Sequence, residues 1–155
     1  MLKVRVKCPY PLLKNLPTDA GWDLRSMETI EVMPGDCITV STGCQINMRH
    51  NGPSPMQYFM TTHACNDFLA PHGLEVQVRG RSSMAKKGFI THLGTVDETY
   101  HSDIKVTMIY LGKEPYTIQQ GNAIAQLVFT TFLPVETIEV SEMEEDRGGY
   151  GSSGL

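Results

Sequence analysis

A chain of 155 residues and 17.2 kDa suits one domain or one subunit of an oligomer, and a second catalytic domain is not expected. With 41% hydrophobic and 19% charged residues it is not a disordered chain, and no run approaches the roughly 20 apolar residues that span a bilayer. Thirteen Lys and Arg against 17 Asp and Glu give a formal net charge of -4, which argues against a broad nucleic-acid surface but permits a phosphorylated ligand in a local basic pocket. The start, MLKVRVKCPYPLL, lacks the continuous apolar core of a secretory signal, so a cytoplasmic protein is expected.

In chain order, Leu2, Val4 and Val6 alternate with Lys3, Arg5 and Lys7, the period of a half-buried strand. Thr29 to Val32 and Cys37 to Val40 flank the turn-prone Met33-Pro34-Gly35-Asp36. Residues 50 to 72 carry Pro53, Pro55 and Pro71 without alternation, a loop excursion or insertion. Leu74, Val76 and Val78 then alternate with Glu75, Gln77 and Arg79. Ser82 to Lys87 suits a short helix with Ser82 or Ser83 as its cap. Ile104, Val106 and Met108 form another stripe, and Ala123 to Phe132 supplies one or two apolar strands. Fourteen Gly and nine Pro between these runs point to an all-β sandwich or barrel. The expected division is a core over 1–141 and an arm over 142–155, acidic through Glu142, Glu144, Glu145 and Asp146 before GGYGSSGL. Cys8, Cys37, Cys44 and Cys65 show no CxxC and no short recurring spacing, so buried free thiols are expected.

Gly80-Arg81-Ser82-Ser83 offers a guanidinium fork, two hydroxyls and backbone N–H groups, all suited to phosphoryl oxygens. The same four residues also fit an ordinary turn with a surface arginine. GGYGSSG in the tail has similar chemistry around an aromatic ring that would cover a base, or is a plain solvated tail. In Gly94-Thr95-Val96-Asp97-Glu98-Thr99-Tyr100, Asp97 stands where a carboxylate at a strand end would orient or deprotonate water. Taken alone, it also fits an Asx-stabilised hairpin turn. Asp23 would pair with a cation or with its neighbouring backbone.

Their order carries more than any one of them. AGWDLRS at Ala20 to Ser26, GRSSMA at Gly80 to Ala85, GTVDETYHSDIKV at Gly94 to Val106, GNAIAQL at Gly121 to Leu127 and RGGYGSSG at Arg147 to Gly154 together resemble the five ordered motifs of the homotrimeric dUTP diphosphatase (dUTPase) family. The resemblance implies a distorted jelly-roll β-barrel or sandwich with a flexible C-terminal arm, and hydrolysis of dUTP to dUMP and pyrophosphate with Mg2+. It implies that Asp97 orients or activates the attacking water, that Arg81 and Gln126 act at the phosphates, and that Asp23 stands near the metal. Ser82, Ser83, Ser152, Ser153 and Arg147 would contact phosphates. Gly94 and Val96 would read uracil through the hairpin backbone, Tyr100 would pack against the deoxyribose, and Tyr150 would stack over the base. It further implies a homotrimer with sites shared between subunits, the arm closing over the nucleotide, and neither a direct nucleic-acid partner nor a membrane segment.

The chain departs from the family pattern at several points. Trp22 replaces the usual Tyr or Phe, His101-Ser102 replaces Arg-Gly, Ala123 replaces a basic residue, and the tail is shorter between Arg147 and Tyr150. The stretch from Gly43 to Arg81 is longer than in compact members, which makes 50–72 an insertion and a candidate surface for a protein partner. His63, His72 and Cys65 within it lack tight metal-ligand spacing. Insertions of this kind occur in phage members, for which the host cytoplasm would be the setting. GRSSMA alone also resembles dCTP deaminase, but VDETY and Thr107 stand where that enzyme has IDPGW and a catalytic glutamate. A catalytically silent nucleotide-binding or protein-interaction module on the same fold is the other alternative.

Overall fold

The computed structural model describes residues 4–48, 73–97, 99–132 and 137–141. Those residues form β1 (Arg5–Lys7), β2 (Gly21–Arg25), β3 (Ile30–Val32), β4 (Cys37–Ser41), β5 (Gln45–Asn47), β6 (Gly73–Gly80), α1 (Ser82–Ala85), β7 (Phe89–Thr91), β8 (Gly94–Val96), β9 (Lys105–Tyr110), β10 (Tyr116–Ile118) and β11 (Ala123–Phe132). Pairing is antiparallel throughout: a four-stranded sheet β2-β11-β6-β8, a three-stranded sheet β4-β9-β7, and the ribbons β1-β5 and β3-β10. The all-β expectation therefore holds, and the stretch 123–132 is one ten-residue strand. Among the described residues no helix is long and apolar enough to cross a membrane.

Period-two patterning explains the layers. In β9, Val106, Met108 and Tyr110 are buried while Lys105 and Ile109 are exposed. Val76 and Val78 of β6, Leu24 of β2, Leu127 of β11, Val40 of β4 and Ile118 of β10 join them in one apolar cluster, so the sheets share a single core. The Met33–Asp36 turn forms as its residues demand. Gly35 takes a φ of 92°, which favours glycine, and the Met33 N–H donates to the Asp36 carboxylate at 2.8 Å. The strands it joins part company, β3 pairing with β10 and β4 with β9.

Three expectations need correction. β1 is not half-buried: Arg5, Val6 and Lys7 are all exposed, because its one strand neighbour among the described residues is the short β5. Ser82 and Ser83 do not cap the helix: Arg81 occupies the N-cap with no side-chain cap bond, because its own carbonyl accepts from Met84 and Ala85 N–H at 3.1 and 3.0 Å. Cys8 and Cys44 are not free thiols but a disulfide. Lys7 pairs with Gln45 across β1 and β5, so the next cross-strand pair brings Cys8 and Cys44 to a Cα separation of 4.2 Å. A cross-strand pair leaves no trace in short sequence spacing. Cys37 is free and exposed, and Cys65 lies outside the described residues.

Candidate active site

The four-stranded sheet presents a polar row on the face turned away from the core. Gln126 of β11 sits opposite Asp23 of β2 on one side and Arg79 of β6 on the other, and directly paired residues share a face. β6 ends at Gly80. The chain stays extended through Arg81, with φ -102° and ψ 142°, before α1 begins. Arg81 thereby turns back over the row. Its Nε lies 3.2 Å from Asp23 Oδ1, and its Nη1 donates to the Ala123 carbonyl at 3.3 Å. The other Asp23 oxygen faces Arg25 Nη2 at 3.8 Å. Asp23 is itself fixed by its N–H, which donates to the Leu13 carbonyl at 2.9 Å.

Asp23, Arg79, Arg81 and Gln126, with Ser82, Asp19 and Gly21, line a cleft of about 510 Å³. Gln126 Nε2 donates to the Gly80 carbonyl at 3.2 Å, which lays its carboxamide across Gly21. A Cβ at Gly21 would collide with Gln126 Oε1, so glycine is required there for the amide to lie in the cleft. Gly21→Ala is expected to turn Gln126 away and to lower turnover about 100-fold, as small misplacements near the reacting atoms do. The loss of stability should stay below about 1 kcal/mol. In a Gln126→Ala background the same change should do nothing further, which kcat measurements on the two single variants and the double variant would check.

The second group of expected residues lies elsewhere on the sheet. Gly94 pairs with Val78 and Val96 with Val76, so β8 runs away from the cleft and delivers Asp97 near the far end of β6. At about 3.3 Å per residue, Asp97 stands roughly 13 Å along the strand direction from the Arg79–Gln126 row, and β6 separates β8 from β11. Tyr100 closes the turn, its N–H donating to the Asp97 carbonyl at 3.0 Å and its hydroxyl to the Asp103 carbonyl at 2.8 Å. Asp97 and Tyr100 are both exposed. His101 Nδ1 lies 3.3 Å from the Ile46 carbonyl, which ties the hairpin to β5 without the fork of an arginine.

One chain thus assembles Asp23, Arg81, Ser82 and Gln126 in the cleft and holds Gly94, Val96, Asp97 and Tyr100 apart from them. Ser83 is exposed on α1 and is not among the cleft residues. Arg147, Tyr150, Ser152, Ser153 and the 50–72 stretch lie outside the described residues. Trp22 is accommodated at the unusual position because it packs edge-on against Phe129, with centroids 5.1 Å apart, under Lys14 Nζ at 3.7 Å. Sequence reasoning overlooked Gly21 and Arg79. The second was legible as the last member of the polar Glu75, Gln77, Arg79 face that runs into Gly80-Arg81.

The arginine, hydroxyl and amide donors of this cleft on an all-β scaffold suit a phosphorylated ligand. The dUTPase family model matches residues 54–154. The deoxyuridine 5'-triphosphate nucleotidohydrolase of Solibacter usitatus is 36% identical, with 99% of this chain and 97% of that protein covered. The enzyme of the same name from Wolinella succinogenes is 36% identical over 99% and 92%. The fold is that of the dUTPase of Staphylococcus bacteriophage 80alpha, seen in a variant with dUpNHpp, at a TM-score of 0.76, 19% identity and full coverage of both chains. The dUTPase of phage phi11 of S. aureus, in a variant described with a structural Mg(II) ion, gives a TM-score of 0.70 at 18% identity, covering 92% of this chain and 99% of that one. The chain belongs to the dUTPase family.

Proposed function

We propose that this chain hydrolyses dUTP at the α-phosphorus to dUMP and pyrophosphate, in a site built from two half-sites on neighbouring copies. The observation that carries this reading is the partition itself. Arg81, Ser82 and Gln126 share one cleft with Asp23, while Asp97 is presented outward at the other end of the same sheet. Reacting atoms must approach to about 3–3.5 Å, so Asp97 of one copy serves the cleft of another. A homotrimer closes such a ring of shared sites.

In the completed site Asp97 holds water in line with the departing bridge oxygen and takes up its proton. The water oxygen bonds to the α-phosphorus as the bond from phosphorus to the α,β-bridging oxygen breaks, and pyrophosphate leaves with the bond's electron pair. Arg81, Ser82 and Gln126 donate to phosphoryl oxygens as charge builds on them. Ser83 and the arm residues Arg147, Ser152 and Ser153 add phosphate contacts. Gly94 and Val96 face uracil through their backbone, Tyr100 shields the deoxyribose face and excludes a ribose 2′-OH, and Tyr150 covers the base. The core over 1–141 is read as the distorted jelly roll of the family, and 142–155 as the arm that closes over bound nucleotide. Residues 50–72 remain the candidate surface for a protein partner.

Among the described residues no group of three or more His, Cys, Asp and Glu could hold a metal ion. Asp23, already paired with Arg81, is the cleft carboxylate held against the arginine expected at the phosphates. This donor set fits Mg2+ carried on the triphosphate, which keeps most of its waters and needs one or two carboxylates at most. Asp23 would hold that ion through water, and the ion would supply charge neutralisation at the phosphates. A deaminase reading is disfavoured by Thr107, whose hydroxyl is engaged with that of Thr39 at 3.0 Å.

Turnover with Mg2+ and a panel of dUTP, dCTP, dTTP and UTP, with products identified, tests the proposal. Formation of dUMP and pyrophosphate from dUTP alone is expected. Conversion of dCTP to dUTP would move the chain to the deaminases. Tight dUTP binding without turnover would make it a silent binding module.

A further inference from the structure

Arg79 is a cleft residue whose chemistry the reading above does not use. Both arginines lining the cleft sit at the end of β6, but they differ in compensation. Arg81 is paired with the Asp23 carboxylate at 3.2 Å and also donates to the Ala123 carbonyl. Arg79 contacts neither Asp23 nor Asp19. Its Nε and Nη2 both donate to the neutral Gln77 Oε1, at 2.9 and 2.6 Å. Among the described residues it forms no ion pair.

Its placement is nonetheless held firmly. Gln77 Nε2 donates to Glu75 Oε1, and the same carboxylate oxygen accepts from Thr130 Oγ1 at 2.8 Å on the adjacent strand β11. Glu75, Gln77 and Arg79 therefore form a polar ladder along one face of β6, anchored away from the cleft and ending in a guanidinium within it. The ladder's carboxylate, Glu75, binds Gln77 and not Arg79, so the guanidinium at the cleft end has an amide partner and no ion pair among the described residues. An amide acceptor fixes a guanidinium without neutralising it, an arrangement suited to an anionic ligand.

We propose that Arg79 is a further substrate-binding residue, supplying the free positive charge that captures the triphosphate, with Gln77 as its positioning residue. The inference rests on the nucleotide reading of the cleft and extends it to a residue two positions before the expected phosphate turn. Arg81, already neutralised, acts at the reacting phosphate, whereas Arg79 governs entry and affinity.

The test uses full-length wild type, Arg79→Gln and Arg79→Lys. Calorimetric binding of the α,β-imido analogue of dUTP and of deoxyuridine would be measured at low and high salt, beside dUTP turnover and thermal unfolding. Arg79→Gln should raise Kd for the analogue and KM for dUTP roughly 10- to 100-fold, the loss of a charge-assisted contact, with kcat near wild type. Its binding should depend less on salt, because screening acts on the charge removed. Arg79→Lys should recover part of the affinity, and deoxyuridine binding should be unchanged. Equal Kd for wild type and Arg79→Gln would overturn the inference, as would equal losses for the analogue and deoxyuridine, which signal a structural role. Failure of the wild type to bind the analogue overturns it together with the nucleotide reading. If the wild type binds the analogue through Arg79 but does not hydrolyse dUTP, the inference stands and the hydrolytic reading falls.

Discussion

Asp97→Asn is expected to lower dUTP turnover by about 10²- to 10⁴-fold, the range that a positioned general base contributes, while leaving nucleotide affinity within a few-fold. The residue sits just past β8, exposed, at the head of the turn that its own carbonyl forms with the Tyr100 N–H. That turn is made by backbone, so an isosteric amide should leave it intact. No ion pair among the described residues depends on the carboxylate. The change therefore isolates the chemistry from the fold. Single-turnover rates beside calorimetric binding of the imido analogue separate the two effects. Unchanged turnover would remove Asp97 from the mechanism, and a parallel loss of binding would make it a ligand contact rather than the group that holds water.

The second large effect is a gain. Asp97→Asn and Arg81→Gln chains, each nearly inactive alone, are expected to recover turnover when co-assembled. In one chain the Asp97 hairpin and the Arg81 cleft lie on β8 and at the opposite end of β6, too far apart to serve one phosphorus. If each site takes Asp97 from one copy and Arg81 from its neighbour, random assembly of equal amounts leaves about one quarter of the sites with both groups intact in a closed cyclic oligomer. Activity after refolding the two variants together, compared with the sum of each refolded alone, is the measurement. Simple additivity would mean that Asp97 and Arg81 do not meet across copies.

What could be read in advance follows from the range over which each signal acts. The stripes in β6 and β9 were legible because burial on a sheet face imposes a period of two on neighbouring residues. The 33–36 turn was legible because Pro and Gly fix the local backbone. Asp23, Arg81 and Gln126 were named from ordered motifs, but not their meeting: that depends on β11 lying between β2 and β6, a long-range choice that local pattern does not encode. The disulfide escaped for the same reason, since only the register of β1 on β5 brings Cys8 to Cys44. The helix cap was misjudged because serine preference is a statistical tendency, overridden here by the extended backbone of Arg81 as it leaves β6. Arg79 looked like one more solvent-facing strand residue until the sheet showed what stood beside it.

The position of β11 also bears on how the chain acquires its shape during synthesis. β2 and β6 have no pairing with each other and meet only through β11, which lies at 123–132. As the chain leaves the ribosome, Asp23 and Arg79 emerge long before the strand that will join them. Among the described residues β2 then has no partner strand, and β6 is paired only with β8. The cleft cannot be approached in stages from the N-terminus; it forms in one late, non-local event of the kind that makes β topologies slow to fold and exposed to aggregation meanwhile. A message truncated before β11 would yield no weakened enzyme but a chain with β2 unpaired, β6 open along one edge, and no cleft.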